Sequence, residues 1–208
     1  MTSAETQRAT VDEADASAAF VGRAIGWILV GAGFVALLAA MVLAIEKFRL
    51  IEDPSYVPTC SVDAVLSCGS VMASEQSEAF GFPNPLLGIA GFGALTAFGV
   101  ALVAGTRFPR WLWLTIQAGV TFAMGFVVWL IFQSTYRIEA LCPYCMVVWA
   151  MTIVSFLYVT VFNLAHGNLS IRAPTLVRYH GVALTLMLLV VVAVIGQAFW
   201  DYWQDVLV

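Results

Sequence analysis

A chain of 208 residues that is 62% hydrophobic and only 11% charged, with a mean hydropathy of +0.92, is too apolar for a water-soluble domain, where about a quarter of residues carry charge. Its net charge of -4 and pI near 5.0 leave no basic stripe for nucleic acid, because the nine Lys and Arg residues are scattered singly between apolar runs. The composition is that of an integral membrane protein, and nucleic-acid binding is excluded.

Residues 1–22 are polar and rich in Ala, Glu and Asp, without the basic start and small-residue cleavage site of a secretory signal. They are expected to form a disordered tail on the cytoplasmic side. The first apolar run extends from Ile25 to Ile45, and at ~1.5 Å per residue it crosses a hydrocarbon core of ~30 Å. Four more runs follow at residues 85–104, 111–133, 144–165 and 181–200. Backbone polar groups cannot stay unpaired in lipid, and none of these runs alternates with period two, so all are expected to be helices. The expected fold is an all-α integral membrane protein, with five spans in a membrane domain covering residues 23–208.

Loops richer in Lys and Arg stay in the cytoplasm. With the N-terminus inside, the inner segments hold Arg8, Arg23, Arg107, Arg110, Arg172 and Arg178, and the outer ones Lys47, Arg49 and Arg137, six against three. This places Cys60, Cys68, Cys142, Cys145 and the C-terminus on the extracytoplasmic side, where disulfides persist. The opposite orientation would expose four thiols to a reducing cytosol.

The first outer loop, from Glu46 to Asn84, is long for a helix connection. Its stretch from Cys68 to Phe80 mixes Val71, Met72 and Phe80 with serines and glutamates, a composition suited to a short interfacial helix forming a lid over the bundle. The remaining links are short, and His166 and His180 fall in the inner one, away from the cysteines.

The four cysteines carry the chemistry. In Cys142-Pro143-Tyr144-Cys145 the sulfurs lie three positions apart at a helix start, on one face, where they can close a small disulfide. Proline suits the first helical position. The free N–H groups and the positive dipole end favour a thiolate, and Cys142 lies nearest that end. Two plainer readings are weaker: inert packing of small side chains, and a four-cysteine zinc site, for which the interval between Cys60 and Cys68 is longer than such sites usually use. No metal is expected. One dithiol only exchanges with another, whereas two pairs form a relay: the loop pair faces a soluble thiol protein, and the helix pair, at the edge of the lipid, faces a hydrophobic two-electron acceptor, of which a quinone is the obvious example.

These residues resemble the vitamin K epoxide reductase family, from the first helix onward. That family has a bundle of four core helices, a cysteine pair in the loop after the first, and a Cys-x-x-Cys at the outer start of the fourth. The resemblance implies a four-helix transmembrane bundle plus a fifth helix read as structural. It implies a bacterial inner-membrane enzyme that re-oxidises a thioredoxin-fold, DsbA-like partner and reduces quinone, either menaquinone or ubiquinone, in support of disulfide formation. By motif position Cys60 exchanges with the partner, Cys68 forms a transient link to Cys142, and Cys145 faces the quinone, although the dipole argument makes Cys142 the thiolate.

The resemblance also implies that Asn84, in Phe82-Pro83-Asn84-Pro85, contacts a quinone oxygen. The same Asn before a proline is an ordinary N-cap, which would leave its NH2 free. Ser74 matches a family serine near the redox centre, against the plainer reading of an exposed helix serine. Trp149 stands one turn after Cys145, where vertebrate relatives have tyrosine; it can stack on a quinone ring but offers one N–H. Trp111, Trp113, Trp200 and Trp203 fit a headgroup belt. Many bacterial relatives continue into a fused thioredoxin-like domain; this chain stops at Val208, so the partner is expected to be separate. Asp63 and Glu75 are expected to be solvated surface carboxylates. The competing class is a channel, transporter or assembly subunit with fixed external disulfides, against which stands the scarcity of ionisable residues within the spans.

Overall fold

The computed structural model describes the backbone of residues 3–207 apart from Ala64 and Arg172, and side chains from Phe20 on other than those of Ala64, Arg172, Trp203 and residues 205–207. In chain order the helices are α1 (Ser3–Glu52), α2 (Cys68–Ala73), α3 (Asn84–Val103), α4 (Arg110–Gln133), α5 (Pro143–Ala165), α6 (Pro174–Arg178), α7 (His180–Ala198) and α8 (Trp200–Leu207). A 3-10 turn, Glu75–Glu78, follows α2, and a π-helical turn, Ser134–Ile138, extends α4. Five stretches are long and apolar enough to cross a membrane: Phe20–Glu52, Asn84–Val103, Arg110–Ile138, Pro143–Ala165 and His180–Ala198. The protein is an all-α, multi-pass membrane protein.

The later spans begin and end close to where hydropathy places them, because Pro85, Pro143 and the glycine at 105 mark local boundaries. The first span departs at both ends. Its helical backbone reaches back to Ser3, through a segment expected as a tail, and that segment holds six alanines and no glycine or proline before Gly22. At the other end it runs seven residues past Ile45 to Glu52, and stops where Asp53 precedes Pro54, a residue pairing that disfavours helix. The connection to α3 is correspondingly shorter than expected.

The expected single lid helix over 68–80 is divided. Ser74 is extended (φ -74, ψ 149), and its hydroxyl donates to the Val71 carbonyl at 2.7 Å, a local bond that competes with helix continuation. Ser74 is therefore the break between α2 and the 3-10 turn rather than an exposed helix serine.

Between membrane helices the hydrophobic effect gives little, so close approach of small residues drives packing. α1 and α3 meet in this way: a methyl on Gly99 would stand 2.8 Å from the Val30 nitrogen and 3.0 Å from the Gly26 carbonyl, and one on Gly33 would stand 2.6 Å from the Thr96 hydroxyl. α5 packs against α1 and α4, and α7 lies outside against α5. α3 and α4 lean on α1 and α5 respectively rather than on one another, which leaves space between them.

At the end away from the cysteines, Trp113 is 4% exposed, stacked on Phe162 with centroids 3.9 Å apart and edge-on to Phe98 at 5.0 Å. It is a core residue and not part of a headgroup belt: its register on α4 faces α5. Trp111 and Trp200 are exposed, whereas the side chain of Trp203 lies outside the described residues. Asn163, fully buried, bonds Gln117 at 3.0 Å and Asn168 at 2.9 Å. His166 and His180 sit at this end too, each bonded through Nδ1 to a carbonyl of its own helical turn or of α6.

Candidate thiol-exchange site and its cavity

Two short segments bring the cysteines together. The π-helical turn widens the end of α4, Glu139 takes a left-handed conformation (φ 54), and the Ser134 hydroxyl donates to the Ala140 carbonyl. The chain then runs beside the loop ahead of α2: the Leu141 N–H donates to Val65 O at 2.7 Å and the Ser67 N–H to Leu141 O at 3.0 Å, a single parallel bridge between Leu66 and Leu141. Each cysteine-bearing helix starts within two residues of that bridge. Cys68 opens α2, capped by Ser67, and Cys142 is the N-cap of α5, its sulfur accepting the Cys145 N–H at 3.4 Å.

Cys60 and Cys68 are joined in a disulfide, with a Cα–Cα separation of 5.6 Å. Cys142 and Cys145 are free thiols. The Cys68 and Cys142 sulfurs are 3.2 Å apart, and both residues are wholly buried. A hydrogen bond from the Cys145 thiol, helped by the N–H groups of Cys145 and Tyr144, holds the Cys142 thiol below its ordinary pKa despite burial. Of the two thiols Cys142 is thus the one whose surroundings favour a thiolate, and Cys145 lies one turn deeper, on the wall of a cavity.

That cavity has a volume of about 520 Å³ and lies between α1, α3, α4 and α5, roofed by α2 and the 3-10 turn. Its walls are mostly apolar, and Gly91 and Gly119 contribute no side chain on two sides, with nothing within 4 Å of where a methyl would stand. Cys145, Trp149, Ser74 and Asn84, all singled out from the sequence, line it together. Trp149 is 3% exposed and packs beside Cys145 and Leu141.

Asn84 is not the N-cap expected of it. Pro83 occupies the cap, and Asn84 is the first residue of α3. Its Oδ1 accepts the Ala79 N–H at 3.1 Å and its Nδ2 donates to Gln76 O at 2.7 Å. The side chain turns back because Gly81 (φ 80) reverses the chain, and so it pins the lid to α3, with one N–H of the carboxamide not used by these two bonds. Asp63 also departs from a purely solvated role: its Oδ1 caps the Val65 and Leu66 N–H groups and its Oδ2 accepts the Tyr202 hydroxyl at 2.7 Å. Those bonds, the Leu66 N–H foremost, lower its pKa. Glu75 is exposed.

Reading the chain as a series of spans missed two residues. Glu46 and Lys47, taken as the start of a loop, are buried in α1, 4% and 7% exposed. Glu46 accepts from Tyr56 at 2.8 Å and from the Thr59 hydroxyl at 2.9 Å, which fixes the residue before Cys60. Lys47 donates to Met72 O at 2.7 Å and pairs with Glu78 at 2.9 Å, which fixes the turns after Cys68. The signal was available: Ala36, Ala40, Leu43 and Lys47 fall at helical spacing on one face, and the first three are core residues.

Among the described residues, no group of three or more His, Cys, Asp or Glu side chains is placed to hold a metal ion. Compared with known families, residues 27–160 match the vitamin K epoxide reductase family, a stretch running from α1 into α5 that includes all four cysteines. No curated protein matches the sequence.

Proposed function

Since the chain belongs to the vitamin K epoxide reductase family, which makes it a membrane thiol–disulfide oxidoreductase, we propose that it re-oxidises a soluble thioredoxin-fold, DsbA-like protein and passes the electrons to a membrane quinone. It works in the bacterial inner membrane with the N-terminus in the cytoplasm and the cysteines outside, in support of disulfide formation. The observation that carries this reading is the 3.2 Å separation of Cys68 and Cys142, with Cys145 lining the adjoining cavity. Fixed disulfides of a structural subunit have no use for a free thiol at that distance.

The sulfur chemistry balances in two exchanges. A partner thiolate attacks Cys60, Cys68 leaves as a thiolate, and the partner's second thiol resolves the mixed disulfide, which oxidises the partner and reduces the loop pair. Cys68 then attacks Cys142 of a Cys142–Cys145 disulfide and expels Cys145; Cys60 resolves the link and restores Cys60–Cys68. Two electrons now rest on Cys142 and Cys145, the state described above. Thiolate character at Cys142 makes it a good leaving group in the resolving step.

The cavity fits a quinone head group of the ubiquinone or menaquinone type: its volume, about 520 Å³, is typical of small-molecule sites, and its apolar walls carry few polar groups. A quinone bound there supplies the two-electron acceptor that returns Cys142 and Cys145 to their disulfide. Cys145 faces it, the Trp149 ring offers a flat surface, and Asn84 presents an N–H while holding the lid. Ser74 sets the bend that brings Gln76 and Ser77 over the cavity.

The test is turnover of the purified protein with a reduced thioredoxin-fold protein and a quinone, followed by quinone absorbance. Loss of activity by at least ~100-fold in each of the four Cys→Ala variants is expected; unchanged turnover in Cys68→Ala or Cys142→Ala refutes the relay. An impermeant maleimide applied to whole cells, after reduction, is expected to label Cys60.

A further inference from the structure

We propose that Lys47 is a catalytic residue that hands protons to the reduced acceptor in the cavity and is recharged from outer water through Glu78. The inference rests on the reading of the cavity as the quinone site.

Among the described residues, Lys47 is the one charged side chain on the cavity wall. Its ammonium is bonded to Met72 O at 2.7 Å, to the Ser77 hydroxyl at 3.1 Å and to the Glu78 carboxylate at 2.9 Å. The Lys47 side chain is 9% exposed and that of Glu78 42%. The pair therefore spans from the cavity to solvent. Of the other titratable groups near this end of α1, Glu46 and Arg49 bond Tyr56 and Glu75 on the same turn is exposed; Cys145 shares the cavity wall and, with Tyr144, packs against the cluster of Leu43 and Met72.

A latch alone does not explain a buried lysine here. Taking an ammonium out of water costs more than an ion pair reliably returns, and a methionine would fill the same space between Leu43 and Met72 without that cost. The lid is also tied to α3 by both ends of the Asn84 carboxamide. Ionisable side chains in membrane helices mark proton and ion paths, and lysine suits proton transfer in a way arginine does not.

The balance is as follows. The partner's two thiols lose two electrons to the sulfur relay and two protons to outer water. Oxidation of Cys142 and Cys145 to their disulfide delivers the two electrons into the cavity, where two oxygens must each gain a proton. Lys47, whose three N–H groups are held by Met72, Ser77 and Glu78, releases the Ser77 hydroxyl to give one proton and becomes an amine, Glu78 takes a proton from outer water and passes it back, and a second round supplies the other.

The experiment compares wild type with Lys47→Met, Lys47→Arg and Glu78→Gln in steady-state reduction of a short-chain ubiquinone analogue by a reduced thioredoxin-fold protein. Folding is checked by formation of the Cys60–Cys68 disulfide. Lys47→Met is expected to lower kcat by ~100-fold, the usual scale for a general acid, and to slow reduction of Cys60–Cys68 by the partner far less. Lys47→Arg, which keeps charge and hydrogen bonds but not the transferable proton, is expected to remain slow. Glu78→Gln still accepts from Lys47, and is expected to lower kcat by ~10-fold, flatten the pH profile and raise the solvent isotope effect. Wild-type kcat and pH profile in Lys47→Arg or Glu78→Gln overturn the relay, as does a Lys47→Met that raises KM alone. Should Lys47→Met not fold, the other two variants decide. A wild-type protein that reduces no quinone refutes instead the function proposed above, whatever the variants do.

Discussion

The sulfur of Cys68, while bonded to Cys60, lies 3.2 Å from the sulfur of Cys142, a residue 74 positions later in the chain. One backbone bridge, Leu66 to Leu141, sets that distance, because each cysteine opens a helix within two residues of it. On the proposed function this placement selects the exchange partner, since Cys142 adjoins Cys68 and Cys145 lines the cavity.

Removing the resolving thiol should expose this choice. In Cys145→Ala the free Cys142 thiolate can attack Cys68 and expel Cys60, and only Cys60, no longer Cys145, is left to displace it. Peptide mapping under non-reducing conditions is expected to recover a Cys68–Cys142 disulfide and a free Cys60. Recovery of Cys60–Cys142 instead would contradict the geometry.

The Cys142 thiol is held below its ordinary value chiefly by the hydrogen bond from the Cys145 thiol. A lowered value favours the thiolate relative to an unperturbed cysteine. Ultraviolet thiolate absorbance of the protein with Cys60–Cys68 intact should therefore rise at lower pH than in Cys145→Ala, which should move the midpoint upward. An unmoved midpoint would assign the shift to the helix N–H groups alone.

Asn84→Leu removes two hydrogen bonds between α3 and the lid. At about 0.5–1.5 kcal/mol each, the lid should loosen by roughly 1–3 kcal/mol. Proteolysis within 74–82 is expected to quicken and KM for quinone to rise, with exchange between the partner and Cys60 retained. Equal loss of both activities would make Asn84 a folding residue only.

Close packing of α1 on α3 is open to a direct comparison. A methyl at Gly99 meets backbone at 2.8 Å, whereas one at Gly196 meets nothing within 4 Å. Gly99→Ala should cost about 1–3 kcal/mol through overpacking, and Gly196→Ala should be neutral or gain up to about 1 kcal/mol from helix propensity. Thermal unfolding in the same detergent measures both.

Asp63 has its carboxyl lowered first by the Leu66 N–H and then by the Tyr202 hydroxyl. A group with a depressed folded value stabilises above its unfolded pKa and loses that contribution as pH falls through the folded one. Amide exchange at Val65 and Leu66 should stay slow through the ordinary aspartate range near ~3.9 and quicken only below it. Asp63→Asn is expected to abolish that acid transition.

The number of spans, their all-α character and the kinship with a family of membrane thiol–disulfide oxidoreductases were all legible in the amino-acid sequence. Each depends on local signals: runs of apolar residues long enough for a bilayer, Pro143 between two cysteines at a helix start, and a polar loop long enough to do work. Pro85, Pro143 and Gly105 mark ends within a residue or two for the same reason. Where the limits of α1 fell was less legible, since hydropathy reads the charges of Glu46 and Lys47 as loop and cannot see the partners that bury them.

Only the tertiary structure decided which sulfurs meet, that Trp113 belongs to the core, that Asn84 holds the lid instead of capping its helix, and that a lysine reaches the cavity. These are contacts between segments far apart in sequence. A cysteine or an asparagine has the same local propensity whatever stands across from it, so the choice of partner lies in how α1, α3 and α5 pack and in where one bridge aligns two loops.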